Sequence, residues 1–395
     1  MKALITDSSG YLYHAWLASA SLPPEQTKQL LDEYRTPENI FHEFKSGSRP
    51  EGIAPAGIKA LVKNASDQNL ATLDGLLMQH HIRAFTVLDT EYPDALLKMQ
   101  EPPAVLFYQG DLQCMKRRLL AMVGSRAASY DGQRAARKIA GDLSRKGVGI
   151  VSGMAGGIDT ASHTGCIEGG SPTIAVTGCG LDIVYPSGNA KLRDSILKNN
   201  GLLLSEYAPG EKPIGWHFPF RNRIITGLAQ ALIVIEAKIR SGTMTSVQHA
   251  LNQGKDVFVY PGDPTSPYSE GNHQLLREGA LYFTTGEDIL EDLGWLDNPE
   301  IIRQNSGCSG VAAYAFTKEE SAVVTALQPG KLSFEQLAEK SRLSPAILMS
   351  TLTMLQIKGA IEALPGKQYQ LKESNYQSWF SECESQYSKK GCLEF

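Results

Sequence analysis

The stretch Leu119-Leu120-Ala121-Met122-Val123-Gly124-Ser125-Arg126 decides the fold: five apolar residues, a glycine break, then a polar turn. Six further runs repeat that pattern, at 148–151, 173–176, 202–204, 231–235, 256–260 and 281–284. Each is short and rich in Val, Ile and Leu without polar alternation, as strands buried on both faces of a parallel sheet must be. Helical patterns separate them. The expected fold is therefore α/β, a Rossmann-like, doubly wound, mostly parallel sheet. Small residues follow the strands: Ser152-Gly153, Thr177-Gly178-Cys179-Gly180, Ser205-Glu206, Glu236-Ala237 and Pro261-Gly262-Asp263. In open α/β sheets ligands bind beyond the carboxyl ends of the strands, where helix N-termini offer bare N–H groups to anions.

Upstream, helix-compatible spacing covers 11–17, 24–34, 37–43, 58–64 and 69–80, with Pro and Gly breaks between. Gly52-Ile53-Ala54-Pro55-Ala56-Gly57-Ile58 reads either as a tight hairpin of the helix-hairpin-helix (SAM-like) kind or as a plain connector. Short strands are expected at 84–88 and 104–108. Downstream, helices are expected from Thr317 to Leu327, from the Ser333/Gln336 capping pair to Lys340, and from Ser344-Pro345 to Ile357, followed by a hairpin at 360–371. Three helices and a hairpin make a winged helix. The resulting division is 1–113 helical, 114–290 Rossmann-like and nucleic-acid-binding, 291–312 linker, 313–372 winged helix and 373–395 mobile tail.

With 395 residues the chain can bury several cores. No run of about 20 apolar residues suggests a membrane span, and 3–5 is too short for a signal-peptide core. The six cysteines (114, 166, 179, 308, 383, 392) lack zinc spacing. That suits a reduced cytoplasm and no metal. The net charge of −4 hides a local excess of cations over acids in 116–146, where Lys116, Arg117, Arg118, Arg126, Arg134, Arg137, Lys138, Arg145 and Lys146 face only Asp131 and Asp142. This is either a footprint for a polyanion or a solvated helix face.

Several enzyme readings fail on residue types. There is no GxGxxG after the first strand for a dinucleotide and no GxxxxGK[ST] for a nucleoside triphosphate. Asp159 and His163 lie four apart on a helix, without a nucleophile in a strained turn. Glu206 and Glu236 could pair as acid and base, but capping of nearby backbone is the simpler use. What assembles is an anion groove. Ser152-Gly153-Met154-Ala155-Gly156-Gly157 opens one helix and Ser241-Gly242-Thr243 another. Gly124-Ser125-Arg126 lies in the first turn, and Trp216-His217-Phe218-Pro219-Phe220-Arg221-Asn222-Arg223 interleaves rings with cations. Cations on phosphates and rings on bases hold single-stranded nucleic acid; for Phe218 or Phe220, packing against the sheet is the other reading.

Taken in order, these motifs resemble the DNA-processing protein A (DprA, or Smf) family. They are Val123-Gly124-Ser125-Arg126, 150–159, Gly178-Cys179-Gly180-Leu181-Asp182 with Tyr185-Pro186, Ser205-Glu206-Tyr207, Phe220-Arg221-Asn222-Arg223, Ser241-Gly242-Thr243 and Pro261-Gly262. Tyr92-Pro93, Pro102-Pro103 and the winged-helix pattern agree with it. The resemblance implies a non-enzymatic protein without cofactor. Such a protein binds and protects incoming single-stranded DNA in natural transformation, helps load the RecA recombinase, and dimerises through the Rossmann-like domain. By position it implies DNA contacts at Gly124, Ser125, Arg126, Ser152, Gly153, Gly156, Gly157, Phe220, Arg221, Asn222, Arg223, Ser241, Gly242 and Thr243. The sequence departs from the family at Ser241–Val247 and at Asp263, which adds negative charge at the rim.

The rival is a nucleotide phosphoribohydrolase of the cytokinin-activating type, on a similar sheet. Its glutamate, three residues past the Gly-Thr threonine, is here Ser246, which removes the carboxylate that would stabilise a developing sugar cation. A third class, a sequence-specific regulator, would read duplex DNA through the helix at 345–357. That helix has no Lys or Arg, so contact with protein, or packing on its own chain, is a better expectation than entry into a major groove.

Overall fold

The computed structural model describes residues 9–47, 52–296, 317–327, 330–357, 360–364 and 368–371. The expected tail at 373–395, and the expected linker from residue 297 on, lie outside the described residues. The chain forms two compact units, divided after Leu296.

In the first unit, α1 (Ser9–Ser19), α2 (Pro24–Tyr34), α3 (Pro37–Ser46), α4 (Pro55–Asn64) and α5 (Asp67–Gln79) pack around Trp16. The indole is fully buried, donates to Leu61 O at 3.1 Å and meets Phe41 edge-on at 5.1 Å. Starts are set locally: Thr36 and Ser66 accept from the N–H groups of Asn39 and Asn69, and prolines occupy the first turns of α2, α3 and α4. Within the segment 52–58, residues 52–54 lead into α4, which already begins at Pro55.

The strands are β1 (Arg83–Thr86), β2 (Val105–Gly110), β3 (Leu119–Val123), β4 (Gly149–Ser152), β5 (Ile174–Val176), β6 (Leu202–Ser205), β7 (Ala231–Val234), β8 (Val257–Val259) and β9 (Leu281–Tyr282). Their spatial order is β1-β2-β6-β5-β4-β3-β7-β8-β9. The seven expected runs are β3 to β9, all paired in parallel. Period-two sorting explains why β3 to β8 are apolar throughout, whereas β9, at the sheet edge, leaves Leu281 and Tyr282 exposed and departs from the expected burial. Leu119, Ala121 and Val123 of β3 enter one core, while Leu120 and Met122 enter the other. Helices cover both faces: α7 (Tyr130–Arg145), α8 (Ile158–Gly169) and α13 (Gly286–Asp292) one, α10 (His217–Leu228), α11 (Gly242–Asn252) and the N-terminal helices the other. The shorter α6 (Asp94–Leu97), α9 (Ala190–Lys198) and α12 (Glu270–Arg277) complete the connections.

The boundary expected at 113/114 does not coincide with an edge of the sheet. β1 and β2 extend it, β2 pairing antiparallel with β6 so that Phe107 faces Ser205. The cause is legible in β2 itself. Val105 to Tyr108 are all buried and need cover on both sides.

The second unit is a small winged helix: α14 (Lys318–Leu327), β10 (Leu332–Ser333), α15 (Phe334–Ser341), α16 (Pro345–Ile357), β11 (Ile361–Leu364) and β12 (Gln368–Leu371). Ser333 and Gln336 form a reciprocal capping box, as their spacing predicts. β10 joins the hairpin in the order β10-β12-β11, a two-residue strand too short to leave a sequence pattern. α16 leaves Ile347, Met349 and Met354 exposed.

Because Phe107 is fully buried in the joined sheet, Phe107→Ala should cost about 3–5 kcal/mol. It should lower the main urea-unfolding transition of the first unit. An unchanged main transition, with only a separate early step lost, would mean that the N-terminal strands fold apart from the rest.

Candidate nucleic-acid interface

The carboxyl ends of β3 and β7 open a cleft of about 450 Å³ between α10 and α11. Gly124, Ser125, Arg126, Arg221, Asn222, Ser241, Gly242 and Thr243 all line it. The turn after β3 is clamped from two sides. Ser125 N donates to Glu236 O at 2.8 Å, and Ser125 O accepts from Ile158 N at 3.2 Å. Gly157, at φ +72°, begins α8 beneath that turn, and a Cβ there would overlap Ser125 O. The clamp leaves Arg126 exposed at the tip with its guanidinium 4.7 Å over the Phe218 ring. Among the described residues no side chain caps the start of α11; Ser241 Oγ turns back to Lys238 O at 2.9 Å. Gly242 and Thr243 therefore bring the start of α11 and the positive end of its dipole to the cleft, while Met244 N–H bonds Ser241 O.

Gly153 and Gly156 line a neighbouring pocket of about 180 Å³, which shares Arg126, Ala155 and Phe218 with the cleft. Ser152, Phe220 and Arg223 lie elsewhere. Ser152 is buried and donates to Met122 O at 2.7 Å. Arg223, 4 % exposed, pairs with Glu206 at 2.6 Å and stacks 4.2 Å over Phe220. Phe220 lines a separate pocket with Trp216, Tyr207 and Glu206. Helical phase is the reason. Successive residues turn by about 100°, so Phe218, Arg221, Asn222 and Ile225 face the cleft while Trp216, Phe220 and Arg223 face away. Glu206 thus neutralises an arginine instead of capping backbone. Glu236 does cap, accepting from Ser129 N and Oγ at the start of α7.

Arg221 is also more structural than a phosphate grip requires. Only 3 % exposed, it donates to Gly153 O at 2.9 Å and to Val176 O, tying two strand ends together. Burial pushes its pKa down to about 10, so it stays protonated at neutral pH and adds positive potential to the cleft wall. Facing it, Asp159 accepts from the N–H groups of Gly153 and Ala155, both at 3.2 Å. Those amides, expected to be free for a ligand, are taken by the chain itself. A Cβ on Gly153 would sit 2.6 Å from Arg221 Nη2 and 2.8 Å from Asp159 Oδ2. Residue 153 is glycine to let this pair approach.

Two further lining residues matter to a ligand: Phe218, a groove ring in the sequence reading that is absent from the expected DNA contacts, and Lys238, which that reading does not name, exposed at the mouth and 5.0 Å over the Tyr268 ring. The phase of α10 would have found the first; following β7 two residues past Glu236 would have found the second. The cleft wall carries Arg126, Arg221 and Lys238 against the single acid Asp159.

Asp159 and His163 share a helix without forming a reactive pair. His163 Nδ1 lies 2.7 Å from Thr173 Oγ1, whose hydroxyl donates to Ile150 O. Nδ1 therefore carries the proton, and Nε2 is buried without a hydrogen-bond partner among the described residues. Burial pushes this imidazole down to about 3. The unfolded chain takes up that proton near pH 6.5. The stability is complete above that pH and is lost as pH falls toward 3. From pH 7 to pH 5 this one group should remove about 2 kcal/mol. Urea unfolding of His163→Leu at both pH values should show a smaller loss by that amount; an equal loss would contradict the assignment.

The description of the DNA recombination-mediator protein A family matches residues 83–294, and that of the DprA winged helix domain matches 312–367. The chain is 46 % identical over 209 residues to the DNA processing protein DprA of Streptococcus pneumoniae, covering 53 % of this chain and 73 % of that protein. It is 36 % identical over 288 residues to protein Smf of Escherichia coli, covering 72 % and 76 %. The crystal structure of the S. pneumoniae DprA superposes with a TM-score of 0.60 at 37 % identity, over 71 % of this chain and 97 % of that one. The chain belongs to the DprA family of DNA recombination-mediator proteins.

Proposed function

We propose that this protein binds single-stranded DNA in the cleft beyond β3 and β7 and passes it to RecA recombinase during natural transformation. The carrying observation is the exposed Arg126 guanidinium, clamped at the cleft mouth opposite the uncapped start of α11. Phosphates would lie between Arg126, Lys238 and the first-turn amides of α11, with Arg221 supplying background charge from within the wall. Arg223, Ser152 and Phe220 hold the scaffold. The recombination-mediator description of the family supports RecA as partner. A homodimer would link two such clefts and raise the effective concentration of the second site. The protein acts in the cytoplasm, and its role is binding rather than catalysis. Ser246 in place of a carboxylate, and a His163 locked to Thr173, leave the phosphoribohydrolase reading without its chemistry.

Fluorescence anisotropy with labelled (dT)20 tests this. Arg126→Glu should weaken binding more than tenfold and flatten the log–log salt slope by roughly one phosphate contact, with the circular dichroism unchanged. Unaltered affinity and slope would refute it. Removing residues 317–395 should leave affinity within about threefold, because α16 offers no Lys or Arg for phosphates. A loss beyond tenfold would place DNA contacts in the winged helix.

A further inference from the structure

The side of α10 turned away from the cleft borders a second concavity with a different chemistry. Trp216 and Phe220 meet edge-on there, ring centroids 6.2 Å apart, and Trp216 is 59 % exposed. With Leu22, Val105 and Tyr207 they wall a pocket of about 80 Å³ where the N-terminal helices meet the sheet. Glu206 also lines it. One carboxylate oxygen, Oε1, is held by Arg223, while Oε2 is buried with no hydrogen-bond partner among the described residues. The pocket therefore suits an apolar group that brings one N–H donor with it. Pro24 joins it to a wider groove of about 590 Å³ between α2 and residues 100–102. Glu25, Asp32, Glu33 and Glu101 line that groove against the single cation Lys28, and all five are exposed. Among the described residues none of the four acids forms an ion pair. The Glu101 charge is felt at Glu206, so groove and pocket share one negative field.

We propose that this face docks a basic peptide segment of a partner protein, with one bulky apolar side chain in the Trp216 pocket and neighbouring lysines or arginines along the acidic groove. The residue that fills the pocket carries its own backbone N–H, which meets Glu206 Oε2. A hydrocarbon or lipid tail would fill the same space and leave that oxygen dry. Nucleic acid is repelled by the four acids, and the groove complements a cationic chain instead. The chain's own residues 373–395 are a poor match, since Glu373, Glu382, Glu384 and Glu394 outnumber Lys389 and Lys390. Helical phase keeps the two sites apart: Phe218, Arg221 and Asn222 face the cleft, whereas Trp216 and Phe220 face the pocket. A docked partner and a bound strand then share α10 without competing for it. The docking stands whether or not the cleft holds DNA.

A displayed library of random dodecapeptides, selected on the full chain in the presence of (dT)20, supplies the probes. Recovered peptides should combine an aromatic or aliphatic residue with Lys or Arg beside it. In anisotropy titrations of the labelled peptides, Trp216→Ala should weaken binding about tenfold, the scale of one lost interface anchor. The triple variant Glu25→Gln, Asp32→Asn, Glu101→Gln should weaken it by a similar factor at low salt and flatten its salt dependence. Both variants should bind (dT)20 within about threefold of wild type, which shows that they fold, and Arg126→Glu should leave peptide affinity unchanged. A selection that returns no peptides of this kind, or peptides that bind both variants as tightly as wild type, overturns the proposal. Peptides displaced by (dT)20 or lost in Arg126→Glu would lie in the cleft, and that too overturns it. Self-association of wild type that disappears in Trp216→Ala would give the pocket to a second copy of the chain and contradict a separate partner.

Discussion

Everything at this edge of the sheet depends on how Ser125 is held. Its N–H is fixed to the turn after β7 and its carbonyl to the first amide of α8, so three strand ends are tied through one residue. Such a clamp needs close backbone approach, which Gly157 permits because a side chain there would overlap Ser125 O. The next residue, Arg126, inherits a fixed position without being consumed by the fixing. That separation matters physically. A cation used to hold strands together has little left for a ligand, whereas one projected by backbone hydrogen bonds keeps its charge exposed.

The arginines of α10 show the contrast. Phe220-Arg221-Asn222-Arg223 reads as one basic patch in the sequence, and the structure splits it between two faces of a helix. Arg223 meets Glu206 in a buried pair whose desolvation cost is offset by that partner and by the Phe220 ring beneath the guanidinium. Arg221 bonds two strand-end carbonyls and stands near Asp159. A buried guanidinium still contributes potential where the dielectric is low, but in the proposed reading contact with phosphate falls to Arg126, Lys238 and the start of α11. Long chains with a net negative charge can bind polyanions this way, because a few cations at one edge outweigh a distant excess of acids beyond the screening length.

Much of the fold was legible because buried parallel strands have few ways to be written. The seven apolar runs became β3 to β9, and Ser333 with Gln336 marked its helix start. Less legible were features decided by partners far off in sequence. The joining of β2 to β6 depends on residues about 95 positions apart, so residues 83–110 looked like part of a helical domain. Among site residues, the turn at 124–126 and the start of α11 could be read directly, since glycine and serine after a strand have few other uses. Occupancy could not be read: the amides at Gly153 and Ala155 look free in sequence and are filled by Asp159 from the next turn. Phe218 and Lys238 needed only helical phase and a longer look past β7.

The central claim is that an unpaired strand lies across the tips of β3 and β7 against the start of α11. Hydrogen–deuterium exchange with and without saturating (dT)20 tests it most directly. The account predicts slowed exchange at residues 126–127 and 242–243, with the amides of Ser125, Gly153 and Ala155 little changed because the chain already holds them. Slowing confined to the winged helix or to the N-terminal helices, with 242–243 untouched, would contradict it.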